Sequence, residues 1–166
     1  MLRLRSGNTK AYANRPECKN PDDEAKCQQY SLIVDAHTRG VFVVAKVLHE
    51  GLDIILIDDL AGEETVLRTF PIFSPSGKNL LVLHENDPEL GFAVQIWRRD
   101  GARFIQDWSG SPHSDGMYVS YKMLRWPSED VIVVQSDISF EPPKPNVLKK
   151  FTLRRGADGW RVISSP

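Results

Sequence analysis

The chain has 166 residues, 41% of them hydrophobic and 26% charged, with a formal net charge of −1. This composition belongs to a globular domain with a real core and excludes a disordered chain. The near-zero charge excludes a global field that would draw the whole chain to nucleic acid or anionic lipid.

The first element predicted is a two-strand hairpin over residues 1–13, in which Leu2-Arg3-Leu4 leads into a turn at Gly7. No apolar run is long enough to span a bilayer as a helix. Met1 leads straight into this strand-like segment with no signal peptide visible, as at a mature N-terminus after export.

A polar stretch follows over residues 14–29, rich in Pro, Asp, Glu and Lys, and it holds both cysteines, Cys18 and Cys27. Neither lies in an apolar run where a buried thiol would sit. A Cys18–Cys27 disulfide pinning this loop is therefore expected, contributing on the order of 2–3 kcal/mol. A periplasmic or secreted location follows from it; the alternative is two free cytosolic thiols. The pair lacks the nearby second pair of ligands that a zinc site needs. Asp22–Tyr30 is expected to form a helical turn or two.

Strands dominate from there on. Ser31–Asp35, Val41–Leu48, Asp53–Asp58, Thr65–Thr69, Leu80–Leu83, Ala93–Arg98, Phe104–Trp108, Tyr118–Leu124, Val131–Gln135, Val147–Leu153 and Trp160–Ile163 are rich in Val, Ile, Leu and aromatics. Gly, Pro, Asp and Ser bound them. Ile54-Ile55-Leu56-Ile57, Leu80-Leu81-Val82-Leu83 and Val131-Ile132-Val133-Val134 are apolar without alternation. Such runs call for sheets covered on both faces.

One unit recurs four times: a strand running into a polar, Gly-bearing turn. Its copies are Leu2–Gly7, Leu56–Gly62, Ile96–Gly101 and Leu153–Gly159. Repetition of this kind signals an array of equivalent antiparallel blades. The blades divide at about residues 29–69, 70–108 and 117–163. In the central one, Pro71-Ile72-Phe73-Ser74-Pro75-Ser76-Gly77-Lys78-Asn79-Leu80-Leu81-Val82 resembles the aromatic-Ser-Pro-Asp-Gly-Lys strand-turn-strand of WD-repeat and TolB-like β-propeller repeats, with Ser76 in place of the usual Asp. Ala93–Gly101 resembles the strand pair that follows it. The resemblance implies a single all-β domain, a β-propeller-like array of three blades plus the N-terminal hairpin. Propellers typically close with four or more blades, so the hairpin is expected to complete or cap the array. A curved β-sandwich is the alternative fold.

In such an array the short turns share one rim and most of the long connections, 14–29, 84–91, 109–116 and 136–146, share the other. Long loops on a rigid scaffold are the usual seat of function. The expected binding residues on this rim are His49, Glu50, His84, Glu85, Asp87, Trp108, His113, Asp115, Phe140 and Glu141. The primary expectation is a non-enzymatic, exported module that binds another protein, of inhibitor or immunity type, with no cofactor and no nucleic acid partner. Two other readings compete. His49, His84 and His113 would serve a metal-dependent enzyme or metal-binding protein, or the chain would be a structural part of a larger propeller assembly. The sequence has no Gly-x-Ser-x-Gly elbow and no phosphate-binding Gly loop.

Overall fold

In a computed structural model of the protein, residues 1–15, 27–34, 39–48, 51–84, 93–112, 118–141 and 143–164 are described. Those residues are all-β: an N-terminal hairpin and three four-stranded antiparallel sheets. Each sheet is a meander in which every strand pairs with its neighbour in the chain. Among the described residues no ladder joins one sheet to another, and the sheets form no closed or propeller arrangement. The helical expectation at Asp22–Tyr30 falls largely outside the described residues, and its last two positions are strand. The chain divides into two compact units, Met1–Phe70 with Asp100–Phe104 and Pro71–Arg99 with Ile105–Pro166.

The first unit contains the hairpin strands β1 (Leu2–Arg3) and β2 (Thr9–Lys10) and a sheet of β3 (Gln29–Val34), β4 (Val41–Leu48), β5 (Gly51–Asp58) and β6 (Glu64–Leu67). The apolar runs do what their lack of alternation requires: Val41 to Ala45 and Ile54 to Asp58 are buried without a break, on both faces of the sheet. One of those faces, Phe42, Val44, Ile55 and Ile57, packs against Leu2 and Leu4 of the hairpin. The tilted rings of Tyr12 and Tyr30, 5.1 Å apart, flank it.

Polar contacts fix the hairpin in register on this face. The Arg5 guanidinium meets the buried Asp59 carboxylate at 2.6 Å through both Nη2 and Nε. The Glu64 carboxylate accepts 2.6 Å hydrogen bonds from Lys10 Nζ and Tyr12 OH. Burial pushes the Glu64 carboxyl up, but the bonds from Lys10 and Tyr12 outweigh it and hold the group below the usual carboxylate range. Burial, with the bond to Glu64, raises the Tyr12 phenol well above its ordinary value.

The turn between β5 and β6 shows why a glycine closes the recurring unit. Asp58 Oδ1 accepts the amides of Leu60 and Ala61, and Gly62 then takes a φ of +73°. A Cβ there would lie 2.8 Å from Leu4 Cδ1 and 3.2 Å from Lys10 Cε. Gly62→Ala is therefore expected to destabilise this unit by about 1–3 kcal/mol, through both the backbone and the hairpin contact. Gly51→Ala, with open space around its Cβ, should stay within about 0.5 kcal/mol. Urea unfolding of the two variants checks the contrast.

The second unit pairs two sheets. One consists of β7 (Ile72–Phe73), β8 (Asn79–Leu83), β9 (Val94–Asp100) and β10 (Arg103–Gly110), in the order β10-β9-β8-β7. The tip of its β9–β10 hairpin counts with the first unit, where Arg103 meets Glu63 at 2.6 Å and the Phe104 amide donates to Thr65 Oγ1 at 3.1 Å. The other sheet consists of β11 (Tyr118–Ser128), β12 (Val131–Ser139), β13 (Val147–Gly156) and β14 (Gly159–Ser164). Leu81, Val94 and Ile96 of the first sheet share one core cluster with Ile132, Val134, Phe151, Leu153 and Trp160 of the second.

Two expectations need correction in this second sheet. The Val131–Val134 run is not covered on both faces: β12 alternates, with Ile132, Val134, Ser136 and Ile138 buried and the residues between them half-exposed. The strand also continues to Ser139, so Ser136–Ser139 belong to the sheet and the connection starts at Phe140. Similarly, Ser109 and Gly110 belong to β10. Strand β11 runs on to Ser128, with register shifts at Met123/Arg125 and Arg125/Ser128. It is an edge strand, which is why it tolerates Pro127.

The turn Ser74–Lys78 is as expected, with Gly77 at φ +72°. It is tied to the β11–β12 turn by Glu129, whose carboxylate accepts the Ser76 amide at 3.1 Å and Asn79 Nδ2 at 2.9 Å. Burial raises the Glu129 carboxyl, but hydrogen bonds from Ser74, Ser76 and Asn79 prevail and lower it overall. A carboxyl lowered in the folded state adds stability that is fully present above its unfolded pKa and is lost as pH falls through the folded value. The Tm of the wild type should therefore drop more steeply below about pH 4.5 than that of Glu129→Gln. Thermal melts across the acid range test this.

Candidate functional site

Strand register gathers the connections of the second unit. Leu83 pairs with Val94, and the His84 amide donates to the Ala93 carbonyl at 2.7 Å. The Ala93 amide in turn donates to the Gly110 carbonyl at 3.3 Å and to Ser111 Oγ at 3.1 Å. Tyr121 OH donates to the Pro112 carbonyl at 2.5 Å. Tyr118 pairs with Ser139, and Ile138 with Val147. The excursions 84–93, 110–118 and 139–147 thus all leave one end of this unit. In the first unit, the end carrying Gln29, paired with Val47, is the end where β4 passes into β5 at Leu48 and Gly51.

Four of the ten expected binding residues lie among the described ones: His84, Trp108, Phe140 and Glu141. Cys18, His49, Glu50, Glu85, Asp87, His113 and Asp115 lie outside them. His84 is half-buried at the end of β8 and engaged by its neighbours. Trp108 is not an exposed anchor. It is half-buried against the core of its unit, and its ring would lie 2.8 Å from a Cβ on Gly110. Gly110 therefore lets the chain pass close to the six-membered ring of the indole. Phe140 is half-buried, with Lys144 Nζ 5.9 Å above its ring. Glu141 is exposed, and its carbonyl accepts the Lys144 amide at 3.2 Å. Phe140, Glu141 and Lys144 place an aromatic face and both signs of charge on one short connection, which suits non-covalent recognition.

Asp107, one residue before Trp108, is a polar hub that sequence reasoning missed. Its Oδ2 accepts Trp160 Nε1 at 3.1 Å and faces Arg155 Nη2 at 3.4 Å, and its Oδ1 lies 3.8 Å from Arg98 Nε. These residues are scattered over 63 positions of the sequence, so no local spacing advertises them. The hub fills a structural need: a nearly buried indole N–H requires an acceptor.

Cys27 is buried at 4% exposure and is disulfide-bonded. The Arg15 amide donates to the Gln28 carbonyl at 2.8 Å, the Gln28 amide donates back at 3.2 Å, and Asn14 Oδ1 accepts the Tyr30 amide at 2.8 Å. These bonds close the neck of the polar loop. No family model, curated protein or solved structure matches this chain.

Proposed function

We propose that the protein is a non-enzymatic binding module, exported from the cytoplasm, that engages another protein through the connections at one end of its second unit. The observation that supports this is the common exit of excursions 84–93, 110–118 and 139–147 from one end of two packed sheets. A rigid two-sheet platform with variable connections at one end is a general solution for recognition. Phe140, with Lys144 and Glu141, is the anchor, and an inhibitor or immunity-type role is the mode it suits.

In this reading the three meanders are open, blade-like modules related to WD-repeat and TolB-like repeats, Pro71–Gly101 carrying the clearest sequence resemblance and the others following by internal similarity. Cys18 is the partner of Cys27 in this reading, and such a bridge supports a location in the periplasm or outside the cell.

A photo-crosslinking residue at Phe140 tests the binding surface. Incubated with native envelope extract, it should yield a discrete protein adduct that Glu141→Lys weakens. The same probe at Ser76, at the opposite end, should yield none. Equal adducts from both positions would overturn the assignment.

A further inference from the structure

The last sheet carries a concentration of charge that the net charge of the chain conceals. Alternation along β11 to β14 buries Val119, Ile132, Val134, Phe151 and Leu153 on the core side. The pairings Lys122–Gln135–Lys150, Arg125–Val133 and Val131–Arg154–Arg161 therefore put all five cations on the opposite side. All five are exposed, and among the described residues none makes an ion pair. Elsewhere the carboxylates of Asp59, Glu63, Glu64 and Asp107 are all matched with a base. Arg154 and Arg161 stand directly opposite one another across the β13–β14 ladder. Like charges in that position destabilise a sheet, and no ion pair among the described residues offsets that cost. Its one acid is Asp137, which leaves a net of four positive charges. That residue is half-buried and keeps one carboxylate oxygen out of water with no hydrogen-bond partner.

The same face ends in Tyr118 and Leu148, 69% and 61% exposed, the most exposed large hydrophobic side chains after Met1 among the described residues. We propose that this face docks on the surface of a bilayer rich in anionic phospholipid. The cations would sit at the headgroups, with Tyr118 and Leu148 at the boundary of the acyl region. Cations on one side of one sheet approach a charged surface together, and a Tyr beside a Leu suits an interface that is wet on one side and apolar on the other. A nucleic acid fits less well, because the face has one aromatic, at its margin, and offers bases no stacking platform. The inference does not depend on the protein-binding end proposed above.

Co-sedimentation with vesicles tests it. The purified full chain should bind phosphatidylglycerol-rich vesicles, should not bind pure phosphatidylcholine vesicles, and should be released by high salt. Each cation removed should lower partitioning about fivefold, so Lys150→Ala/Arg154→Ala/Arg161→Ala together should lower it roughly a hundredfold. Lys122→Ala/Arg125→Ala, on a different strand, should lower it about twenty-fivefold, which guards against misfolding of the triple variant. Leu148→Ser should weaken binding and leave its salt dependence intact. Wild-type protein that ignores anionic vesicles, cation variants that bind like wild type, or cation-dependent binding of an oligonucleotide in place of vesicles would each overturn the proposal.

Discussion

Phe151→Ala is expected to destabilise the second unit by about 3–5 kcal/mol, the range for an aromatic truncated in a packed core. Phe151 has no exposed surface, and the cluster around it includes Leu81, Ile96, Ile132 and Trp160 from both sheets. Tyr121 meets the ring edge-on at 6.2 Å between centroids. Truncation therefore loses the transfer energy of the ring, leaves a cavity that two hydrogen-bonded sheets cannot easily collapse, and removes an aromatic pair. For a chain of this size the loss corresponds to a Tm lower by roughly 10 °C. Phe151→Leu, which keeps much of the volume, should lose a fraction of that. A shift for Phe151→Ala below about 1 kcal/mol would mean that the two sheets do not share this core.

Reduction of the Cys27 disulfide should have the second largest effect, about 2–3 kcal/mol, because the bond restricts the unfolded chain more than it adds contacts to the folded one. The hydrogen bonds of Arg15 with Gln28 and of Asn14 with Tyr30 join the two flanking segments independently of the bond. The loss should thus appear as a lower melting temperature of the first unit, with its sheet signal retained at low temperature. With Cys18 as partner, native protein should take up no alkylating label before reduction and two labels per monomer after it. Labelling of untreated protein at both cysteines would remove the bridge and the exported location argued from it.

Where local pattern is one-dimensional, the strands could be read directly. Val41–Ala45 and Ile54–Ile57 are apolar at every position and are buried on both faces, whereas the equally unbroken Val131–Val134 is buried on one face only. The turn glycines Gly7, Gly62, Gly77, Gly101 and Gly159 stand out because each has a positive φ. The tail of β12 was hidden for the opposite reason. Gln135-Ser136-Asp137-Ile138-Ser139 has one apolar residue in five, and only its pairing with Tyr118–Lys122 on one side and Val147–Lys150 on the other makes it a strand. Its four-residue extension turns a long connection into a shorter one. The Asp107 hub and the cationic face were hidden by distance along the chain. Lys122 and Arg161 are 39 positions apart, and only the register of four strands puts them on one side. Loop length did point to the end of the second unit where connections gather. It could not reveal that Trp108 packs inward, because a Trp in a strand reads the same whether it faces core or water.

The meander order of every sheet bears on how such a chain changes over evolutionary time. Because each strand hydrogen-bonds to its sequence neighbour, a complete sheet is encoded by one contiguous segment. Duplication or excision of that segment adds or removes an entire layer without cutting a backbone ladder elsewhere. Relatives of this chain could therefore differ by whole sheets and still keep the remaining hydrogen-bond pattern.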